Sequence, residues 1–170
     1  NLKIILAYDG SGFHGWQVQI GLRTVQEEVE KALGKILNHE VRVTASGRTD
    51  AGVHALGQVI HLHTSSGIPE EGLMRALNSM LCPEVTVSAV SEVSPDFHAR
   101  YSARAKTYVY AIDTAQIPSP FLHRYALHLP GVLDIDSMRN AAGALLGVHD
   151  FTSFMGTGSS VKTTERDIFI

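Results

Sequence analysis

Val41-Arg42-Val43-Thr44-Ala45 and Gln58-Val59-Ile60-His61-Leu62-His63-Thr64 are rich in β-formers and are separated by the run Ser46 to Gly57. Both read as strands, and they follow one another without an intervening helix. On either side the pattern turns helical. Upstream, Thr24 and Glu27 have capping-box spacing, in which each side chain satisfies an orphan backbone N–H of the first turn. Val25, Val29, Ala32, Leu33, Ile36 and Leu37 recur behind them at the helical period, and Asn38 ends the stripe. Downstream, Pro69 suits a first helical turn. Leu73, Met74, Leu77, Met80 and Leu81 form a second stripe, closed by Pro83. Further out, Leu2 to Tyr8 stops at the turn signal Asp9-Gly10-Ser11-Gly12, and Val85 to Val90 is again rich in β-formers. The order β-α-β-β-α-β is the ferredoxin-like plan. It predicts a sheet with one helix-covered face and one open face, a surface suited to RNA.

A second set of elements begins after Pro95. Thr107 to Ile112 reads as a strand. A helix is expected from about Asp134, with Ile135, Met138, Ala141, Ala142, Leu145 and Leu146 on one side and Gly147 as its stop. Another strand is expected near Asp167. The expected class is α+β, with two ferredoxin-like (RRM-like) α/β units and mostly antiparallel sheets, the second incomplete at the C-terminus. The expected domains are residues 1–98, carrying the loop between the two opening strands, and residues 99–170, the start of a truncated second domain.

The 170 residues are 44% hydrophobic and 18% charged, an ordinary globular balance. No stretch approaches the roughly 20 apolar residues of a membrane span, and Asn1-Leu2-Lys3-Ile4 has no signal-peptide pattern. Cys82 is the one cysteine, which excludes an internal disulfide and a cysteine metal site. A reducing cytoplasm is the natural setting. The formal net charge of −3 argues against nucleic-acid binding by the whole surface, but local patches matter more. Phe97 to Ile112 contains Arg100, Arg104 and Lys106 with no acidic residue, and His98 and Tyr101 lie among them. That is a basic and aromatic patch of the kind that takes an RNA backbone. His61 and His63 share a strand, yet no third ligand sits at a convincing spacing, so no metal is expected.

The run from Gly47 to Gly57 connects two strands and holds three glycines, Gly47, Gly52 and Gly57, which permit backbone angles that other residues avoid. Arg48 and Asp50 are two apart and project to one side of an extended chain. A carboxylate near a guanidinium stays ionised and can act as nucleophile or base. A purely structural turn salt bridge fits the same two residues equally well. A hydrolase triad through Asp50 and His54 lacks a serine in a nucleophile elbow, since Ser46 sits at a strand end.

Gly47-Arg48-Thr49-Asp50-Ala51-Gly52-Val53-His54-Ala55 resembles the signature loop of the TruA-type tRNA pseudouridine synthases. Further blocks resemble the family in the same order: Tyr8 to Gln17, Thr24-Val25-Gln26-Glu27, Asp96 to Ala103, Lys106-Thr107-Tyr108-Val109-Tyr110, and Leu146 to Phe154. The likeness covers nearly the whole chain.

The resemblance implies isomerisation of uridine to pseudouridine in the tRNA anticodon stem-loop, at positions 38, 39 and 40, without a cofactor. It gives Asp50 the role of catalytic carboxylate. It implies that Tyr108 stacks on the uracil, with Tyr110 as the alternative two residues on, and that Arg48 helps expose the target nucleotide. It implies tRNA contacts for His98, Arg100, Arg104 and Lys106, and a homodimer. It also implies a basic partner for Asp50 beyond Ile170. Arg166 matches a different family block and does not inherit that role. The alternative is a non-catalytic RNA-binding module of the same fold.

Overall fold

The computed structural model describes residues 1–156 and 163–169. Contacts divide the chain into two compact units, Asn1–Tyr108 and Val109–Ile170.

The first unit is built from strand β1 (Leu2–Tyr8), helix α1 (Val25–Leu37), strands β2 (Thr44–Ala45) and β3 (Ala55–Leu62), helix α2 (Glu70–Leu81) and strand β4 (Val85–Glu92). The sheet order is β2-β3-β1-β4 and every pairing is antiparallel. This is the ferredoxin-like arrangement predicted from the element order, with β1 between β3 and β4. Alternation along the strands sends Ile4, Leu6 and Tyr8 of β1, Ile60 and Leu62 of β3, and Val85 and Val87 of β4 into the core. Helix α1 contributes Val25, Val29, Ala32, Leu33 and Leu37, and α2 contributes Leu73 and Leu77. Met80, expected on the same stripe, is 43% exposed.

The helix ends follow their local chemistry. Thr24 caps α1, its hydroxyl accepting from the Glu27 N–H, and Asn38 ends it with φ 58°, the left-handed stop that asparagine tolerates. Between β1 and β4 the register shifts after Ile5. Asn78 of α2 covers the disturbed ladder: its amide accepts from the Val87 N–H (2.7 Å) and donates to the Val87 carbonyl (2.9 Å).

Strand β2 is shorter than the expected Val41 to Ala45. The buried Glu30 carboxylate explains this. It accepts from the Val43 N–H (3.0 Å), Gln26 Nε2 (2.9 Å) and Arg42 Nη1 (2.9 Å). The Val43 N–H is thereby given to a side chain of α1 instead of a neighbouring strand.

The second unit contains β5 (Ile112–Asp113), β6 (Leu127–His128), helix α3 (Ile135–Gly143), β7 (Gly147–Asp150) and β8 (Glu165–Ile168). β5 pairs with β6 in parallel, and β7 pairs with β8 antiparallel. The expected strand from Thr107 to Ile112 is reduced to its last residue: residues 107–111 are in no strand, because only Ile112 and Asp113 have a strand partner, Leu127 and His128. Helix α3 stops at Gly143, short of the expected Gly147. Ala144, Leu145 and Leu146 instead close three-residue turns onto Ala141, Ala142 and Gly143, and Gly147, at φ 89°, opens β7.

Candidate active site

The loop between β2 and β3 begins where the Ser46 N–H donates to the Val59 carbonyl (2.8 Å). Beyond that point its backbone is tied to residues 8–17. The Trp16 N–H donates to the Thr49 carbonyl (2.9 Å), and the Gly52 N–H donates to the Phe13 carbonyl (3.3 Å). Within the loop, the Val53 N–H closes a turn onto the Asp50 carbonyl (3.1 Å), with Gly52 at φ 79°. A type II turn needs a residue with positive φ at that position.

Beneath the loop lies a polar network. The Tyr8 hydroxyl is 2.8 Å from Thr49 Oγ1. Gln58, 7% exposed, donates from Nε2 to the Gly47 carbonyl (2.7 Å) and accepts at Oε1 from the Ser46 hydroxyl (2.8 Å). Its Nε2 also reaches the Tyr8 oxygen at 3.5 Å. Burial pushes the Tyr8 phenol above its ordinary value, against the smaller opposing pull of its bonds to Thr49 and Gln58. It therefore remains a neutral hydroxyl in the physiological range.

Two glycines of the 8–17 segment make this close approach possible. A Cβ on Gly10 would lie 2.1 Å from the Val53 carbonyl oxygen. A Cβ on Gly15, whose φ is +82°, would lie 2.6 Å from the Thr49 carbonyl oxygen. The loop and its bed thus fit backbone against backbone. His54 closes the far side, its Nδ1 standing 3.2 Å from the Gly10 nitrogen and 3.1 Å from Asp9 Oδ1. The His54 Nδ1 accepts the Gly10 N–H.

Thr49 faces inward, and Arg48 and Asp50 on either side are exposed, as alternation in an extended segment requires. The salt bridge between Arg48 and Asp50 that the spacing allowed is not formed. Among the described residues neither side chain has an ion pair or hydrogen bond. In an exposed position such a pair contributes little. Trp16 is 2% exposed, with its ring 6.1 Å from Tyr8.

Of the basic and aromatic patch, Lys106 comes to the loop: a Cβ on Gly47 would lie 2.7 Å from its Nζ. Arg104 is exposed, and so is Tyr108, at 85%, outside any strand. Among the described residues no hydrogen bond or ring contact joins Tyr108 to Asp50. Residues 97–102 are anchored to the sheet. The Ala99 N–H donates to Nδ1 of the buried His61 (3.1 Å), and the Arg100 and Tyr101 N–H groups converge on His98 Nδ1 (3.2 and 3.3 Å). Burial holds the His61 imidazole below its ordinary value, helped by the neighbouring His98 and His63. From the sequence, His61 stands out only as half of an incomplete metal-ligand pair with His63. Its anchoring role was missed because its partner is a backbone N–H, which no residue type announces. Among the described residues no three His, Cys, Asp or Glu side chains are grouped to hold a metal ion.

The family model for tRNA pseudouridine synthase matches residues 4–102, which include the whole loop and its bed. Among curated relatives, tRNA pseudouridine synthase A of Moorella thermoacetica is 48% identical over 169 residues, covering 98% of this chain and 69% of the relative. The protein of the same name from Bacillus pumilus is 47% identical over 170 residues, 99% of this chain and 69% of its own. That of Acetivibrio thermocellus is 45% identical over 168 residues, with 99% and 69% covered. On these matches the chain belongs to the tRNA pseudouridine synthase family.

Proposed function

We propose that this chain isomerises uridine to pseudouridine in the anticodon stem-loop of tRNA, at positions 38, 39 and 40, with Asp50 as the catalytic carboxylate. The observation that supports this role most is the setting of Asp50. It is an exposed acid on a loop whose backbone is tied down on both sides, at Thr49 and Gly52. A rigid support spares the site the reorganisation that a mobile acid would need. The reaction breaks the bond between C1′ and N1, turns the uracil and joins C1′ to C5; the proton lost from C5 is balanced by one gained at N1. Asp50 serves it either by attacking C1′ or by removing the 2′ proton. No redox change occurs and no cofactor enters.

Arg48, two residues before Asp50 and also exposed, occupies the space of the displaced nucleotide. Such a base must leave the stack, at a cost of a few kcal/mol, and a planar guanidinium both stacks and binds phosphate. Tyr108, with its ring exposed, stacks on the uracil. His98, Arg100, Arg104 and Lys106 contact the tRNA backbone. The enzyme acts as a homodimer in the cytoplasm; no helix among the described residues is long and apolar enough to cross a membrane. The assignment is tested by turnover of C5-tritiated tRNA transcripts with uridine at one of the three positions at a time. Tritium release from each supports it, and release from none contradicts it.

A further inference from the structure

We propose that Tyr101 is the outer plate of a stacking site for an unpaired nucleobase of the RNA substrate, with Arg100 beside it for the adjoining phosphate. This rests on the reading of the chain as a tRNA-modifying enzyme. It adds to that reading a contact remote in sequence from Arg48 and Asp50.

Three rings lie in series. His61, on β3, is buried and accepts from the Ala99 N–H. The His98 ring lies 4.7 Å from it, centroid to centroid. Tyr101 lies 4.3 Å from His98 at an interplanar angle of 30°. The series is fixed at its inner end by the sheet and at its middle by the two N–H groups donated to His98 Nδ1. Its outer end is open: Tyr101 is 78% exposed although one face is against His98. Among the described residues its hydroxyl has no hydrogen bond. A flat ring held against His98 and still 78% exposed, with a guanidinium over it, is what a base stacks on, whatever the base.

The charges around it favour a polyanion. Arg100 Cζ is 5.9 Å from the Tyr101 ring centroid, and Arg104 and Lys106 follow in sequence toward the Asp50 loop, where Lys106 Nζ meets Gly47. Among the described residues Arg100, Arg104 and Lys106 have no carboxylate partner, whereas Arg23, Lys31, Arg42 and Arg139 each have one. Unneutralised cations beside an open ring match a phosphate and its base.

The test uses the full chain and an unmodified tRNA transcript, with direct measurement of Kd. Tyr101→Ala and Tyr101→Leu should each raise Kd on the order of tenfold, while Tyr101→Phe and Tyr101→Trp keep the wild-type value. In Tyr101→Trp the new indole should be quenched on adding tRNA; the native Trp16 is buried and supplies a constant background. Because Tyr101 is exposed, all variants should melt with the wild type. Wild-type affinity in the Ala or Leu variant, or an unquenched indole, overturns the stacking site. A wild-type chain that binds tRNA without isomerising it would contradict the functional reading instead, and the affinity comparison would still decide the stacking site.

Discussion

The hydroxyl of Tyr8 stands 2.8 Å from that of Thr49, so the last residue of the central strand holds the residue immediately before Asp50. The core and the proposed chemistry meet at this bond. Tyr8→Phe keeps the packed ring and removes the bond, at an expected cost of about 1 kcal/mol in stability. With Thr49 released, kcat for pseudouridine formation should fall while the Kd for tRNA stays near the wild-type value. Melting and steady-state turnover on one preparation check both parts.

Gly10 and Gly15 test the same support from the other side. Gly10→Ala places a methyl against the Val53 carbonyl, and Gly15→Ala places one against the Thr49 carbonyl with φ at +82°. Backbone must shift in either case, and the backbone that shifts carries Asp50. Both variants should lose turnover more than stability, with Gly15→Ala adding the strain of a left-handed residue. Gly57→Ala, with nothing within 4 Å of its added methyl, is the control and should keep turnover.

Glu30 should matter to folding alone. Glu30→Ala strands the buried Val43 N–H and leaves the Gln26 Nε2 with only its longer bond to the Val43 carbonyl (3.4 Å), at an expected cost of about 2 kcal/mol. Activity measured well below the melting temperature should persist. A thermal melt beside a turnover assay separates the two effects.

The first unit could be read from the sequence because its signals are local and agree with one another. Thr24, the stripe from Val25 to Leu37 and Asn38 all specify one helix, and the structure forms it with that cap and that stop. The limits of β2 were less legible, because whether Val43 joins a strand depends on Glu30, thirteen residues earlier. The second unit was the least legible. Thr107 to Ile112 has strand composition, but a strand exists only where another pairs with it, and pairing is a long-range fact. At the candidate site, the Gly47–Ala55 run and its resemblance pointed to Asp50. The reason Gly10 and Gly15 must be glycine appeared only when the backbones were seen to touch.

His61 gives a pH dependence. Its folded-state pKa lies below the ordinary 6.5, chiefly through burial, with His98 and His63 adding to the effect. Lys3, its cross-strand neighbour on β1, is a further cation on that side. A lowered pKa means that the unfolded chain takes the proton first, so the contribution is complete above about pH 6.5 and is lost as pH falls toward the folded value. Protonation also removes the acceptor for the Ala99 N–H. The melting temperature should therefore drop as pH falls below 6.5, and His61→Gln should flatten that part of the profile.

The role of Asp50 as catalytic carboxylate is tested most directly by tritium release from C5-tritiated tRNA with Asp50→Ala, alongside the Kd of the same variant. Asp50 is exposed and makes no side-chain bond among the described residues, so the substitution should leave folding and tRNA affinity intact. The predicted result is undiminished binding with no tritium released. Release at the wild-type rate from the Ala variant would contradict the account.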